Sequence, residues 1–391
     1  MERQTLPRKR RASRGAVFAL LMLASLQGCG DSTAPQSPKP AAPIYASISD
    51  GGYDDTCALT SEGNAYCWGF DVQGQLGDGV APTMPPSYQM RPVAVKGGLH
   101  FSKISLTVGT SCGLTTAGAA YCWGRSVSDG SASSVPVAVS GGSTFATIAV
   151  GGNQGFNHTC GLTADGAAYC WGDNQAGQLG TDDRVSRANP TPVAGGLRFS
   201  TISAGAFHTC GVAIDGTAYC WGDPYATLSV DSLILSPQAV PGTLSFASLD
   251  AGFGYTCGVT TTSQAYCWGF GSDGRLGDGL SHYALEPSPV SGSLSFAKVS
   301  AGASFACGIT TSGAAYCWGE GYLGTTALSR SYVPVAVSGG LSFASINVAT
   351  RHACGGTAGG RVYCWGDNAN GQLGTGTTAT STVPIAVAGP S

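Results

Sequence analysis

Charge is scarce in this chain. Only 10% of its 391 residues are Asp, Glu, Lys or Arg, and the net charge is −3. That balance offers no complementary field to a nucleic acid or to an anionic membrane surface. Outside the N-terminal segment no stretch has the length or the 3.6-residue apolar period of an amphipathic helix. No phosphate loop or nucleophile elbow stands out and there is no Cys-x-x-Cys pair, so no clear local signature of nucleotide hydrolysis, acyl transfer or zinc binding is present. The acidic pairs Asp54-Asp55 and Asp182-Asp183 lack a full calcium-loop pattern and read as solvated turns. Of the five histidines, His158, His208 and His352 stand two residues before a cysteine in equivalent repeats, while His100 and His282 do not. Repetition around a ring separates side chains, which points to packing or strand capping. No catalytic residue, metal or cofactor is expected.

What is abundant is repetition. Tyr-Cys-Trp-Gly occurs seven times, at Cys67, Cys122, Cys170, Cys220, Cys267, Cys317 and Cys364, and these copies account for every tryptophan. Successive copies are 55, 48, 50, 47, 50 and 47 residues apart, a period that calls for a propeller or solenoid. Within the third and fourth repeats the same four short strand-like segments recur, as in Pro192-Val193, Leu197 to Ser203, His208 to Val212 and Thr217 to Gly222. Four short strands per unit of about fifty residues make one blade. The first repeat, starting at Ile44, lacks the Pro-Val strand, and the last ends in a spare one, Val383 to Val387. The fold expected is therefore all-β, a seven-bladed β-propeller of four-stranded blades closed by strands from both termini, which removes exposed edges.

The N-terminus carries export signals. Arg8, Lys9, Arg10, Arg11 and Arg14 precede an apolar run from Ala16 to Leu26 that is too short to span a bilayer. Leu26-Gln27-Gly28-Cys29 resembles a bacterial lipobox, which implies a signal peptide over 1–28 and lipidation of Cys29; ordinary secretion is the alternative. Residues 29–43, rich in Pro, Ser and Ala, read as a tether to a propeller spanning 44–391.

Export gives the cysteines their meaning. Each Tyr-Cys-Trp-Gly cysteine follows another ten residues upstream: Cys57, Cys112, Cys160, Cys210, Cys257, Cys307 and Cys354. In the first repeat Ser61-Glu62-Gly63 reads as a three-residue hairpin loop with glycine in the left-handed position. Counting outward pairs Leu59 with Ala65, Ala58 with Tyr66 and Cys57 with Cys67. A non-hydrogen-bonded pair has Cα atoms about 4.5 Å apart, inside the disulfide range, so each blade can carry one staple. Buried free thiols are the alternative. Gly118, Gly166, Gly216, Gly313 and Gly359 are the equivalent loop glycines, and Ser263-Gln264 departs from the pattern. Alternation places Tyr66 and Trp68 on the face opposite Cys67, so an aromatic face is expected to pack on the Leu-Cys-Ala face of the neighbouring blade.

The loops Gly172 to Gly180 and Gly366 to Gly374, both ending Gly-Gln-Leu-Gly, and His158-Thr-Cys-Gly-Leu-Thr163 resemble the repeats of the regulator of chromosome condensation family. The resemblance covers 44–391. It implies a seven-bladed propeller and protein recognition through loops on one face. Guanine-nucleotide exchange, known in that family, is not carried over, because the N-terminus reads as an export signal and no long wedge-like insertion is identifiable. Repeats two, four and six have lost most of the motif, and varied loops on a repeated frame make a natural recognition surface. Candidate contact residues are Phe70, Asp71, Asp173, Asn174, Tyr225, Phe270, Tyr322 and Asn368, with Asp78 to Arg91, including Met84, Tyr88 and Met90, as a second region. The expected function is a monomeric, non-catalytic scaffold for a protein partner. Alternatives are a carbohydrate or cell-wall module, and an enzyme inhibitor or enzyme on the same ring.

Overall fold

The computed structural model describes residues 43–52, 54–81, 87–127, 130–153, 155–223 and 232–390. The segment expected to be a signal peptide, Cys29 and most of the expected tether lie outside the described residues, as do Met84 and Tyr225. Among the described residues the chain forms seven four-stranded antiparallel sheets, each made of four consecutive strands. Blade 1 consists of Tyr45–Gly51, Asp55–Thr60, Ala65–Asp71 and Ser87–Ala94. The remaining blades occupy 101–138, 147–192, 199–239, 246–289, 296–336 and 345–386. This is a seven-bladed β-propeller with the first strand of each blade on the central channel. No described helix is long and apolar enough to cross a membrane.

The hairpin register is the one read from the sequence. Leu59 pairs with Ala65, Ala58 with Tyr66 and Cys57 with Cys67, because Thr60 and Gly63 close the loop through Thr60 N to Asn64 O and Gly63 N to Thr60 O. All seven cysteine pairs are disulfides with Cα atoms 4.0–4.1 Å apart. Two turns differ in detail. In blade 7 the left-handed residue is Gly360 (φ +74°) and not Gly359, and in blade 5 Ser263 takes the same conformation (φ 64°), so the fifth hairpin keeps the common turn at the cost of a strained serine.

Closure also differs from expectation. The Pro-Val strand belongs to the blade before it: Pro192 pairs with Tyr169, and Val193 N donates to Ala168 O. Each Pro-Val strand is thus an outer edge, and Ser381–Ala386 completes blade 7 beside Val362–Gly366. No blade mixes strands from the two ends. The ring closes instead by blade 7 packing on blade 1, with Tyr45 N bonded to Gly360 O.

The core is a set of seams between blades. All seven tryptophans are at most 2% exposed. Trp68 clusters with Cys354 and Cys364 of blade 7, and Trp123 with Cys57, Leu59, Ala65 and Cys67 of blade 1, so the aromatic face packs on the neighbour's disulfide face as expected. Around the channel, side chains of one blade hold the backbone of the next. Ser105 Oγ accepts from Val150 N at 2.9 Å, Ser203 Oγ from Ala251 N at 3.0 Å, Asp250 Oδ2 from Ala301 N at 2.9 Å and Ser300 Oγ from Val348 N at 3.0 Å, while Asn347 Nδ2 donates to Ile48 O at 2.5 Å across the closing seam.

Candidate functional site

The turns between first and second strands and the loops between third and fourth strands lie on one face of the ring, because both follow strands running in the same direction from the hairpin side. The Gly-Gln-Leu-Gly loops sit here, and their first role is structural. In blade 3 the Asn174 side chain accepts from Leu179 N at 2.9 Å and donates to Asp183 O and Val185 O. Gln178 Oε1 accepts from Ala176 N at 2.9 Å. The Gln178 carbonyl then takes the indole N–H of Trp221 in blade 4, at 3.0 Å, and the Thr209 hydroxyl, at 2.9 Å. Blade 7 repeats this on blade 1, where the Gln372 carbonyl receives Trp68 Nε1 at 2.9 Å and Thr56 Oγ1 at 3.2 Å. A side chain on the last glycine, Gly180, would meet Trp221 Nε1 at 2.7 Å, and its φ is +69°, so only glycine lets the next tryptophan close. The indole of Trp268, which faces blade 4 with its degenerate loop, has no hydrogen-bond partner among the described residues.

The buried histidines belong to the same clamp. His158 Nε2 lies 2.9 Å from Thr209 Oγ1, His208 Nε2 2.9 Å from Thr256 Oγ1 and His352 Nε2 2.8 Å from Thr56 Oγ1. Thr209 and Thr56 each spend their single proton on a loop carbonyl, so the imidazole must donate from Nε2, leaving Nδ1 bare. Among the described residues the Nδ1 atoms of all three rings are indeed buried without a partner. Burial holds the rings neutral, with pKa values of about 3 for His158 and His208 and about 4 for His352. These rings are packing elements, as the sequence suggests.

This geometry redistributes the candidate contact residues. Asp71, Asn174 and Asn368 are buried, and each uses a side-chain oxygen to accept the amide of the loop leucine, Leu76, Leu179 or Leu373. They shape loops and present nothing to a partner, which corrects their reading as contacts. Asp71 is a carboxylate where the other two are amides, and burial pushes its pKa up to about 6. Asp173 is half-buried and accepts from Gln178 Nε2 at 2.6 Å. Tyr322 is half-buried against the blade 6 core, its carbonyl taking the Trp365 indole. Tyr88 and Met90 are exposed on the outer strand of blade 1, where Met90 O is bound by Gly376 N of blade 7. The acidic pairs are likewise not simple solvated turns: Asp55 is buried, Asp54 accepts from Gln372 Nε2 and Asn370 Nδ2, and Asp183 pairs with Arg187.

Phe70 remains half-buried and Phe270 is exposed. Phe270 has company that the sequence reading missed. Phe253 and Phe270 are 41% and 43% exposed, and Phe207 packs edge-on to Phe253 with ring centres 6.0 Å apart. Arg275, standing where other loops have Gln, is buried beneath them. Its guanidinium lies 5.0 Å from the Phe270 ring centre and 5.6 Å from that of Tyr255. It donates to Ala303 O at 2.6 Å and to Phe253 O at 3.3 Å, and pairs with Asp273. These residues edge the mouth of the central channel, a cavity of about 960 Å³. The missed signal was available: Gly252-Phe253-Gly254 puts a large apolar residue in a turn, and Gly-Arg-Leu-Gly replaces Gly-Gln-Leu-Gly.

A ring of seven stapled blades with clamping loops on one face defines a disulfide-bonded β-propeller of repeat type. Models of the regulator of chromosome condensation (RCC1) repeat match residues 165–212, 263–309 and 359–391, and a second RCC1 repeat model matches 146–178, 296–325 and 345–372. The chain thus carries RCC1-type repeats over these residues. Its fold is similar to that of human WBSCR16 (TM-score 0.75, 19% identity, 83% of this chain and 94% of that one). It is also similar to Prp20p of Saccharomyces cerevisiae, a protein described with its binding to Gsp1p and histones (TM-score 0.67, 20% identity, 78% and 80%). The ectodomain of the Physcomitrella patens receptor kinase CR4 is a further likeness (TM-score 0.55, 22% identity, 83% and 74%). The RCC1-like propeller supports a binding-scaffold role, and seven disulfides suggest an extracellular or otherwise oxidising environment.

Proposed function

We propose that this protein is an exported, non-catalytic scaffold that recognises a protein partner on the loop-bearing face, around the aromatic side of the channel mouth. The observation that carries the reading is the exposed pair Phe253 and Phe270, braced from below by Arg275. Rigid, exposed aromatic side chains lose little freedom on binding, which is the property of interface anchors. The sparse charge of the chain favours a protein partner over nucleic acid. Residues 1–28 act as the export signal, lipidation of Cys29 tethers the domain to a membrane, and residues 29–43 supply reach. Replacing Phe253 and Phe270 with Ser should abolish capture of the partner, identified by crosslinking and co-purification from the native cell surface, at a cost of about 2 kcal/mol or more per anchor. The melting temperature should stay unchanged. Undiminished capture by the double variant would falsify the assignment of the face. A carbohydrate module built on tryptophans loses its platform, since all seven indoles are in the seams. An enzyme target would make the scaffold an inhibitor through the same anchors.

A further inference from the structure

The channel itself has features that ring closure does not require. Its inner strands contribute two polar tiers. The tier nearer the loop face, Ser105, Ser203, Asp250, Ser300 and Asn347 among them, is consumed by the blade-to-blade ties described above. The second tier lies two residues earlier in each strand. There blades 4, 5 and 7 carry Thr201, Ser248 and Ser345, whereas blades 2 and 6 carry Lys103 and Lys298, and all five line the cavity. Three serines, an asparagine and one carboxylate make the ties of the first tier without a lysine, so two ammonium groups in the second tier call for a separate explanation.

Their charges are unequal in their surroundings. Lys298 is accompanied by the Asp250 carboxylate, and it donates to Asn347 Oδ1 at 3.3 Å. Lys103 donates to the Thr147 hydroxyl at 2.5 Å, and among the described residues it forms no ion pair with a carboxylate. The channel thus holds two cations and one anion from these three residues. Lys103 is exposed to the channel interior; the surrounding channel wall and the positive charge of Lys298 both push its amine below the ordinary value, and the Asp250 carboxylate acts against them. An anion in the channel would relieve both effects. A cavity of about 960 Å³ is of the size that encloses a small organic molecule, and its walls offer hydroxyl groups for further hydrogen bonds.

We propose that the channel binds a small hydroxylated carboxylate, of the sugar-acid class, with the carboxylate on the Lys103 ammonium and the hydroxyls against the serines and threonines of the second tier. This site lies in the channel whose mouth carries Phe253 and Phe270, on the tier farther from the loop face, and does not rest on the docking reading. Calorimetric titration with glucuronate tests the idea, with glucose as the uncharged counterpart of the same size. Saturable glucuronate binding is expected, with glucose at least tenfold weaker. Binding should be lost in Lys103→Ser, the residue type other blades carry at this place, and in Lys103→Met, while both variants keep the Phe253/Phe270-dependent capture of the protein partner. Absence of saturable glucuronate binding up to roughly 10 mM, equal binding of glucose, or unchanged binding in the two Lys103 variants would each overturn the proposal.

Discussion

The seams between blades 3 and 4 and between blades 6 and 7 have the same backbone and opposite chemistry. In the first, His158 meets Thr209 and the contact is a buried hydrogen bond. In the second, the equivalent positions are Phe305 and Ala353, both fully buried and apolar. The residue two before the cysteine in one blade faces the residue one before the cysteine in the next, and the two change together: His208 with Thr256, His352 with Thr56, Tyr255 with Ala306. Where the second position is alanine, an aromatic ring stands opposite, and Tyr255 sends its hydroxyl past it to Phe305 O at 2.8 Å. A polar seam is therefore as acceptable as an apolar one, provided both halves agree. A polar group facing an apolar one would leave a buried donor unpaired, at about 1–3 kcal/mol.

Acid separates the two kinds of seam most strongly. Three histidines are held neutral in the folded ring, with pKa values depressed to about 3, 3 and 4. The unfolded chain protonates them near 6.5, so between that value and the folded pKa it binds more protons than the folded protein. The histidine contribution to stability is fully present above pH 6.5 and is lost as pH falls toward 4. Three protons correspond to about 4 kcal/mol per pH unit. Asp54, Asp71 and Asp250, whose pKa values are raised by burial, work in the opposite sense and reduce the net slope. The informative quantity is a difference. His158→Phe combined with Thr209→Ala, which copies the blade 6–7 seam, should reduce the slope of denaturant stability against pH by about 1.4 kcal/mol per unit below pH 6. An unchanged slope would mean that His158 is not held neutral by its seam.

The same pair of substitutions tests whether the halves of a seam are coupled. Thr209→Ala alone strips His158 Nε2–H of its acceptor in a dry interface, and a loss of about 2 kcal/mol is expected at pH 7.5. Adding His158→Phe should return most of that loss, since blades 6 and 7 already accept Phe opposite Ala. The cycle then gives a coupling energy of about 1–2 kcal/mol. Additive losses in the double variant would show that the co-variation of these positions around the ring has another cause.

Much of this was legible before the fold was in view, and what was not has identifiable reasons. The blade number, the hairpin register around Gly63, the seven disulfides and the burial of the tryptophans all follow from local counting, because a strand alternates and a three-residue loop has a fixed pairing. The assignment of the Pro-Val strand to a blade does not. A cyclic repeat has no intrinsic starting point, and only the pairing of Pro192 with Tyr169 decides which sheet the strand joins. The candidate site was misread where polarity was taken for exposure. Asp71, Asn174 and Asn368 are polar because the amide of a buried leucine needs an acceptor. The mouth was missed for the converse reason: Phe253 is apolar and was passed over, although a turn is where an apolar side chain is left in water.

The comparison of loops gives the smallest and most local test. Blades 3 and 7 solve the leucine amide with asparagine, which also donates to two or more groups across the loop, as Asn368 Nδ2 does to Thr377 O and Ala379 O, both at 2.9 Å. Blade 1 solves it with Asp71, which can accept but, once ionised, has no proton to donate, and the bond to Leu76 N is longer, at 3.3 Å. Because the folded pKa of Asp71 is raised to about 6, its cost is complete above that pH and vanishes below the unfolded value near 3.8. Asp71→Asn should therefore stabilise the protein by about 1–2 kcal/mol at pH 7.5, with the gain fading as the pH approaches 4. A destabilised variant at pH 7.5 would instead assign the carboxylate a partner of its own in blade 1, and would make this loop different in kind from the two it resembles.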